Sequence, residues 1–369
     1  MIEANKSEEK KISIAIVGLG RISLKHIEAI LKLHERARIV AICDTVDQLV
    51  KDADNLIKEG YSKINIKDKK ICKFTQYLDL LTSIKFKKIE VDLIVITTPS
   101  GLHPKQVIDA ANIGVNVCTE KPMATKWKDG LEMVKVCDEA GVKLFVVKQN
   151  RFNETLQLTK KQILAGRFGR IALVNVNVFW QRPQSYYDQA NWRGTWEFDG
   201  GALMNQASHY VDLLDWLIGP VESLNASIAT ISRRIEVEDT AVMNIKWRNG
   251  ALGTMAVTML AYPNNIEGSI TILGENGTVK IGGKAVNKIE IWNFADSTKD
   301  DETVSQVSYE TTNVYGFGHY PYYVNLIDTL EGKDSPLCDG REGLKSLEIL
   351  SGAYRSAQNS KTIHLPLDY

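Results

Sequence analysis

The stretch KISIAIVGLGRISLKHIEAI, residues 11–30, holds a strand, a tight turn and the start of a helix with nothing between them. Residues 12–17, ISIAIV, form a short and nearly continuous apolar run, as a parallel strand covered on both faces requires. Gly18 and Gly20 follow at once, so the backbone can turn sharply and come close to a ligand. The helical stretch beyond them aims its N-terminal amides at the same spot, which makes the turn a site for a pyrophosphate. Where a third glycine completes the usual fingerprint this chain has Ser23, small enough to keep helix and strand closely packed.

Outward from this unit the pattern repeats. ARIVAICD (37–44), VDLIVITT (91–98), VNVCTE (115–120) and VKLFVV (142–147) read as strands with amphipathic stretches between them, the alternation of a parallel sheet with helices on both faces. The lysine-rich stretch 46–73 is expected to hold a helix followed by a surface loop. Beyond residue 150 a helix near 153–166 stops at Gly166, and longer runs take over, among them IALVNVNVFW (171–180) and TAVMNIKW (240–247). Asn249-Gly250 and Glu275-Asn276-Gly277 supply hairpin turns, so this sheet is expected to be largely antiparallel. One helix is expected at 202–218, helices again over 316–358, and a last short strand in TIHLPL (362–367). A chain of 369 residues exceeds the usual size of one core. The expected fold is an α/β Rossmann domain (1–147) followed by an α+β second domain with a large, mostly antiparallel sheet (148–369), the last helix packing back on the first domain.

Forty-five basic side chains balance forty-five acidic ones, which removes the broad field that nucleic acid or an anionic membrane surface needs. An anionic small ligand must then be met by local cations. The stretch MIEANKSEEKK is polar and charged, unlike a secretory leader, and no run reaches membrane-spanning length. The five cysteines, Cys43, Cys72, Cys118, Cys137 and Cys338, never show CxxC spacing. Neither a disulfide framework nor a metal site is expected, and a reducing cytoplasm fits. Cys43 and Cys118 sit in apolar runs and read as small hydrophobes.

The second strand ends in Asp44, near the offset of about 20 residues at which an acidic side chain meets the ribose hydroxyls of a dinucleotide. Its charge would repel a 2′-phosphate and no arginine directly follows it, so NAD is favoured over NADP. Three further segments carry residues that local propensity does not explain: Thr97-Thr98-Pro99 with His103-Pro104, Glu120-Lys121-Pro122, and Gly200-Gly201 leading to Asn205 and His209. The first two follow parallel strands, so Thr98 and Lys121 are expected in the crevice of Gly18 and Gly20. A lysine there can hydrogen-bond a reacting oxygen. Asn205 and His209, spaced i, i+4, are expected on one helix face. Taken singly, a helical histidine is more often structural and a lysine before proline a solvated charge.

Together these motifs are specific. The GxGxxS of residues 18–23, Asp44, TTPSGLHP (97–104), Glu120-Lys121-Pro122, Trp192-Arg193 and the glycine pair before His209 resemble the glucose-fructose oxidoreductase, inositol dehydrogenase and MocA family over nearly the whole chain. The resemblance implies that Lys121 and His209 flank the reacting carbon, with Asn205 one helical turn before His209. Relatives are expected to carry aspartate at position 205. Asparagine cannot take a proton, so the general base falls mainly on His209, Lys121 stabilises the developing alkoxide, and Asn205 orients the imidazole or holds a substrate hydroxyl. The residues expected at the cofactor are Gly18, Gly20, Arg21, Ile22, Asp44, Thr98, Pro99, His103, Glu120 and Lys121. His103 is expected near the nicotinamide and His26 within the packing of the first helix, His319 has no assigned role, and His34 and His364 read as surface residues.

Residues 180–217 resemble one branch of that family more closely, the UDP-N-acetyl-2-amino-2-deoxyglucuronate 3-dehydrogenases of surface-polysaccharide synthesis. A nucleotide-sugar uronate brings a diphosphate and a carboxylate. Lys148, Arg151, Arg182 and Arg193 are the cations expected at the mouth of its site, with Asn150 and Trp192 beside them. The implied reaction is oxidation of the C3 hydroxyl of the nucleotide sugar by NAD. Three other readings stay open here: an inositol or simple-sugar dehydrogenase, an NAD-dependent glycosidase that returns its hydride, and a non-catalytic NAD-binding sensor. Alternating apolar positions in VNVNVFW (174–180) and TMAVTML (254–260) predict a sheet face covered by another subunit of a homodimer or homotetramer.

Overall fold

A computed structural model describes residues 10–66, 70–311 and 316–368. The polar start of the chain, read above as unlike a leader, lies outside them up to residue 9, as does part of the lysine-rich loop. Six parallel strands, β1 (Ile12–Val17), β2 (Ala37–Cys43), β3 (Cys72–Phe74), β4 (Leu93–Ile96), β5 (Asn116–Thr119) and β6 (Leu144–Val146), form the first sheet. Their order is β3-β2-β1-β4-β5-β6. The chain therefore leaves β1 toward opposite edges through β2 and β4, and the crevice between the ends of β1 and β4 is where such a sheet binds its ligand. β3 begins at the end of the stretch read as a loop and runs one residue past it. It has three residues and pairs only with β2, too short a run to show a period.

Both faces of this sheet are covered, as its unbroken apolar strands demand. Ile14, Ile16, Ile39, Ile42, Leu93 and Val95 pack on one side with residues of the helices Ser23–Lys32 and Asp47–Lys63, and with Tyr322, Tyr323, Leu326 and Ile327 of the helix His319–Leu330. Each large side chain so buried contributes about 1.5–3 kcal/mol relative to exposure. A helix late in the sequence thus completes the layer over the first strands. Ala15, Val17, Ile94, Ile96 and Val117 line the other face, in a core continuous with that of the second sheet.

The second sheet has eight strands: β7 (Ile171–Phe179), β8 (Val221–Ala229), β9 (Thr240–Trp247), β10 (Leu252–Thr258), β11 (Glu267–Gly274), β12 (Gly277–Gly282), β13 (Lys288–Phe294) and β14 (Ile363–His364), in the order β13-β12-β11-β7-β10-β9-β8-β14. The two expected hairpin turns join β9 to β10 and β11 to β12, and every pair is antiparallel except β7 with β10. Contrary to the expectation, the alternating apolar residues Val174, Val176, Val178, Met255, Val257 and Met259 fill this chain's own core with Ile270 and Ile272, and the outer face instead exposes Leu173, Val242 and Leu252 among Asn244, Lys246 and Thr254. The helix Gly340–Asn359 packs on β8 and also on the helix Trp127–Glu139 of the first layer. No helix among the described residues is long and apolar enough to cross a membrane.

Candidate active site

The turn after β1 has the form of a cradle. Gly18 adopts φ +86°, and a Cβ there would lie 2.7 Å from the amide nitrogen of Thr98, while Gly20 faces open space. Only glycine fits the first position; the second leaves its backbone approachable. Arg21 is exposed, Ile22 half-buried, and the Ser23 hydroxyl donates to Gly20 O at 2.7 Å. Asp44 sits beside the turn: its carboxylate accepts from Leu19 N at 2.7 Å and from Val46 N at 2.9 Å. The end of β2 and the glycine turn are thereby tied, and the carboxylate remains partly exposed.

The loops after β4 and β5 are tied to the same place. His103 is buried, with one ring nitrogen 3.0 Å from Pro122 O and the other 2.8 Å from Thr98 O. Burial pushes its pKa down, so the neutral ring donates to one carbonyl and staples the Thr97-Thr98-Pro99 loop to Glu120-Lys121-Pro122. Glu120 accepts from Lys121 N at 3.0 Å and lies 2.9 Å from His26 Nε2, whose other nitrogen is 2.7 Å from the Tyr323 hydroxyl. Burial alone would raise the Glu120 carboxyl; the hydrogen bond and charge of His26, with that of Lys121, outweigh it and hold it at about 2. His319 lies against His26, and burial lowers it to about 3. His26 therefore does more than pack the first helix: it anchors the strand-end carboxylate that fixes the backbone of Lys121. His34 is half-buried and His364 exposed.

Across the cleft the chain departs from the expected helix. Residues 202–218 are not one helix: a π-type turn, Ala202–Gln206, precedes the α-helix Ser208–Ile218, with a break at Ala207. The i, i+4 geometry expected of Asn205 and His209 is lost across that break. The Asn205 amide donates to Asp199 Oδ1 instead, and its main-chain carbonyl accepts from Lys121 Nζ at 3.1 Å. His209 is met by Gln149, whose amide nitrogen lies 3.3 Å from His209 Nε2. With the amide donating, that ring nitrogen is the accepting one.

The electrostatics suit proton removal. Burial, then the charges of Lys121 and Lys148, lower the His209 pKa well below the usual histidine range against the opposing pull of Glu120 and Asp212. Burial also lowers Lys121, opposed by Glu120 and Asp199 and reinforced by Lys148 and Arg182. Asp199 is buried and accepts from Gly194 N at 2.7 Å; desolvation, only partly offset by its hydrogen bonds and by Arg193, raises it to about 6. A buried imidazole that stays neutral and a lysine on the opposite side could serve one hydroxyl as base and hydrogen-bond donor.

The four expected cations separate into two pairs. Arg182 stacks over Trp180 and Tyr186, and Arg193 over Tyr186 and Trp192 with its ring distances at 4.4 and 4.5 Å. Neither forms an ion pair among the described residues, and the buried Arg193 Nε has no hydrogen-bond partner. Arg151 is not at the mouth. It is 3% exposed, spans both oxygens of Asp212 at 2.7 and 2.8 Å and reaches Glu342 at 2.7 Å, so its charge is spent inside the fold. Lys148, equally buried, pairs with Asp212 at 3.1 Å and acts on the cleft only through its field. Asn150 is buried beside them with its carbonyl oxygen unpartnered. Asp199, Gln149 and Asp212 were not singled out by the sequence. Of these only Asp199 carried a signal, a carboxylate directly before the glycine pair.

Two family profiles match the chain: the NAD-binding Rossmann fold of an oxidoreductase family over residues 12–148, and the C-terminal alpha/beta domain of the same family over residues 160–365. The chain is similar to the WlbA dehydrogenase of Bordetella pertussis, solved in complex with NADH and UDP-GlcNAcA, at 55% identity and TM-score 0.90, with 98% of this chain and 99% of that one covered. Its similarity to the WlbA dehydrogenase of Chromobacterium violaceum, solved with the same two ligands, is 53% identity and TM-score 0.89, covering 98% of each. Among curated proteins, the 2,7-anhydro-N-acetylneuraminate hydratase of Escherichia coli (strain K12) is 25% identical over 323 residues, 84% of this chain and 80% of that one.

Proposed function

The chain belongs to the glucose-fructose oxidoreductase, inositol dehydrogenase and MocA family, and on that premise we propose that it oxidises the C3 hydroxyl of UDP-GlcNAcA with NAD. The observation that carries the proposal is end-to-end similarity, above half identity, to two dehydrogenases that hold NADH and this nucleotide sugar. Gly18, Gly20 and Asp44 fit the dinucleotide: Gly18 lets the turn close against Thr98, Gly20 leaves open space beside an accessible backbone, and the carboxylate stands at the ribose offset. Arg21, Ile22, Thr98, Pro99, His103 and Glu120 complete that side. When bound, NAD supplies the hydride acceptor.

In this reading the neutral His209 takes the O3 proton while the C3–H bond breaks, its electron pair leaving as hydride, and the C3=O double bond forms. Lys121 donates a hydrogen bond to O3 as negative charge builds there. Arg182 and Arg193, without a carboxylate ion-pair partner among the described residues and held by aromatic faces, meet the diphosphate or the uronate, with Trp192 and Asn150 lining the approach. The reading also assigns a border between domains at 147/148, a cytoplasmic role in O-antigen or other surface-polysaccharide synthesis, and a homodimer or homotetramer joined through the outer face of the second sheet. The test is NADH formation from NAD across a panel of UDP-GlcNAcA, UDP-GlcNAc, myo-inositol and glucose, with NMR of the product. A 3-keto uronate from UDP-GlcNAcA alone is expected. Faster turnover of inositol or glucose would overturn the assignment.

A further inference from the structure

The turn that carries Asn205 is itself held by a side chain outside it, Glu238. Three consecutive amides of the turn have acceptors outside it: Ala202 N donates to Glu238 O at 3.0 Å, Leu203 N to Glu238 Oε1 at 2.9 Å, and Met204 N to the Tyr354 hydroxyl at 3.2 Å. The Tyr354 hydroxyl in turn donates to Glu238 Oε1 at 2.9 Å. Helix-like turns leave their first amides without internal partners, and a buried turn cannot give them to water. Glu238 is 2% exposed and packs so tightly on Gly201 that a Cβ there would meet Glu238 Oε2, an oxygen that has no hydrogen-bond partner. The next amide, Asn205 N, closes on Gly201 O at 2.9 Å, and the carbonyl of the same residue receives Lys121 Nζ.

We propose that Glu238, with Tyr354, is a positioning residue for Lys121: by capping the amides of residues 202–204 it sets where the Asn205 carbonyl stands, and that carbonyl sets the ammonium. The inference rests on the reading of Lys121 as the group that faces the reacting oxygen. Among the described residues neither Glu238 nor Tyr354 hydrogen-bonds Lys121, the Asn205 side chain or His209, so both act through the turn. Desolvation raises the Glu238 carboxyl to about 7 against the bonds from Leu203 N and Tyr354, and Asp239 beside it pushes the same way. The helix side offers it the Tyr354 phenol and the turn side main-chain amides. Below about pH 7 the carboxyl is mostly protonated, so a neutral isostere can stand in for it there.

The test is a double-mutant cycle on the full chain. Glu238→Ala and Tyr354→Phe should each lower kcat about tenfold, as misplacement of a reacting group does, with KM for NAD unchanged. Glu238→Gln should keep most of the activity at pH 6.5 and remove a step near pH 7 from the kcat profile, a step distinct from that of His209, which titrates well below the usual histidine range. In a Lys121→Ala background Glu238→Ala should cost nothing further, because the group it positions is gone. An equal loss from Glu238→Ala in both backgrounds, or unchanged kcat in Glu238→Ala and Tyr354→Phe, overturns the inference. If Lys121→Ala itself keeps full activity, the reading of Lys121 fails instead, so the two failures are separable. Should Glu238→Ala not fold, Tyr354→Phe carries the same cycle with a single hydroxyl removed.

Discussion

The two walls of the cleft are built by different means. On the first-sheet side Gly18, Asp44, Thr98 and Lys121 stand at the ends of four parallel strands, and the sheet's register places them. The opposite wall, with Asn205, Asp199 and His209, hangs on a π-type turn and a helix start whose positions depend on side-chain bonds to Asp199, Glu238, Tyr354 and Gln149. A wall set by strand ends changes when a chemical group is removed. A wall set by side-chain bonds also changes when a remote partner is altered.

The largest expected effect tests whether the walls act together. Lys121→Ala and His209→Asn should each lower kcat by about 100-fold or more while NAD affinity stays the same, measured by NADH formation and calorimetric titration. Near-normal turnover in His209→Asn would move the base role to the first-sheet wall. A smaller effect is expected of Asn205→Asp. Because the amide faces Asp199 and not His209, the new carboxylate should meet a buried acid, raise its pKa further and lower kcat about tenfold at neutral pH. An unchanged Asp199 environment with an upward-shifted histidine limb would restore the simple i, i+4 picture.

On the strand-end wall, Asp44→Ala should weaken NAD about tenfold, the worth of a charge-assisted hydrogen bond, and narrow the preference over NADP. Equal preference before and after the change would remove Asp44 from the cofactor site. The smallest effect concerns stability. Asp199 is raised from 3.8 to about 6 in the fold, so the folded state holds the proton more tightly than the unfolded chain. The stabilisation from this group is complete below the ordinary carboxylate pKa and is lost as pH rises through about 6. Asp199→Asn should therefore flatten the fall in Tm between pH 4 and pH 7 by about 2 °C in calorimetry, and an identical slope in both proteins would contradict the assigned shift.

The first wall was legible in the sequence because parallel strands turn position into direction. A run such as ISIAIV followed by Gly18, or VNVCTE ending before Lys121, tells which residue emerges at the strand end. The second wall was legible as a set of residues and not as a geometry. The spacing of Asn205 and His209 assumes 3.6 residues per turn throughout, whereas a π-type turn spends an extra residue and breaks the face. The partner that captures Asn205 stands before the glycine pair, which no helical period marks. Arg151 looked like a surface cation because its neutralising Asp212 and Glu342 lie 61 and 191 residues away. β3 escaped because its three residues depend on the neighbouring strand for their form.

The bond between His26 and Tyr323 spans 297 residues, and that between Met204 and Tyr354 spans 150. During synthesis at about 5–20 residues per second, the glycine turn and its strands emerge many seconds before either tyrosine. A ribosome-bound chain can therefore assemble most of the dinucleotide cradle while its chemical centre is still missing two supports. Those supports come from the helices His319–Leu330 and Gly340–Asn359, the last two long helices of the chain. A nick in the helix Gly340–Asn359, which carries Tyr354, should therefore cost more catalysis than NAD capture, whereas one in His319–Leu330, whose Tyr322 and Tyr323 sit in the core under the first strands, should cost both.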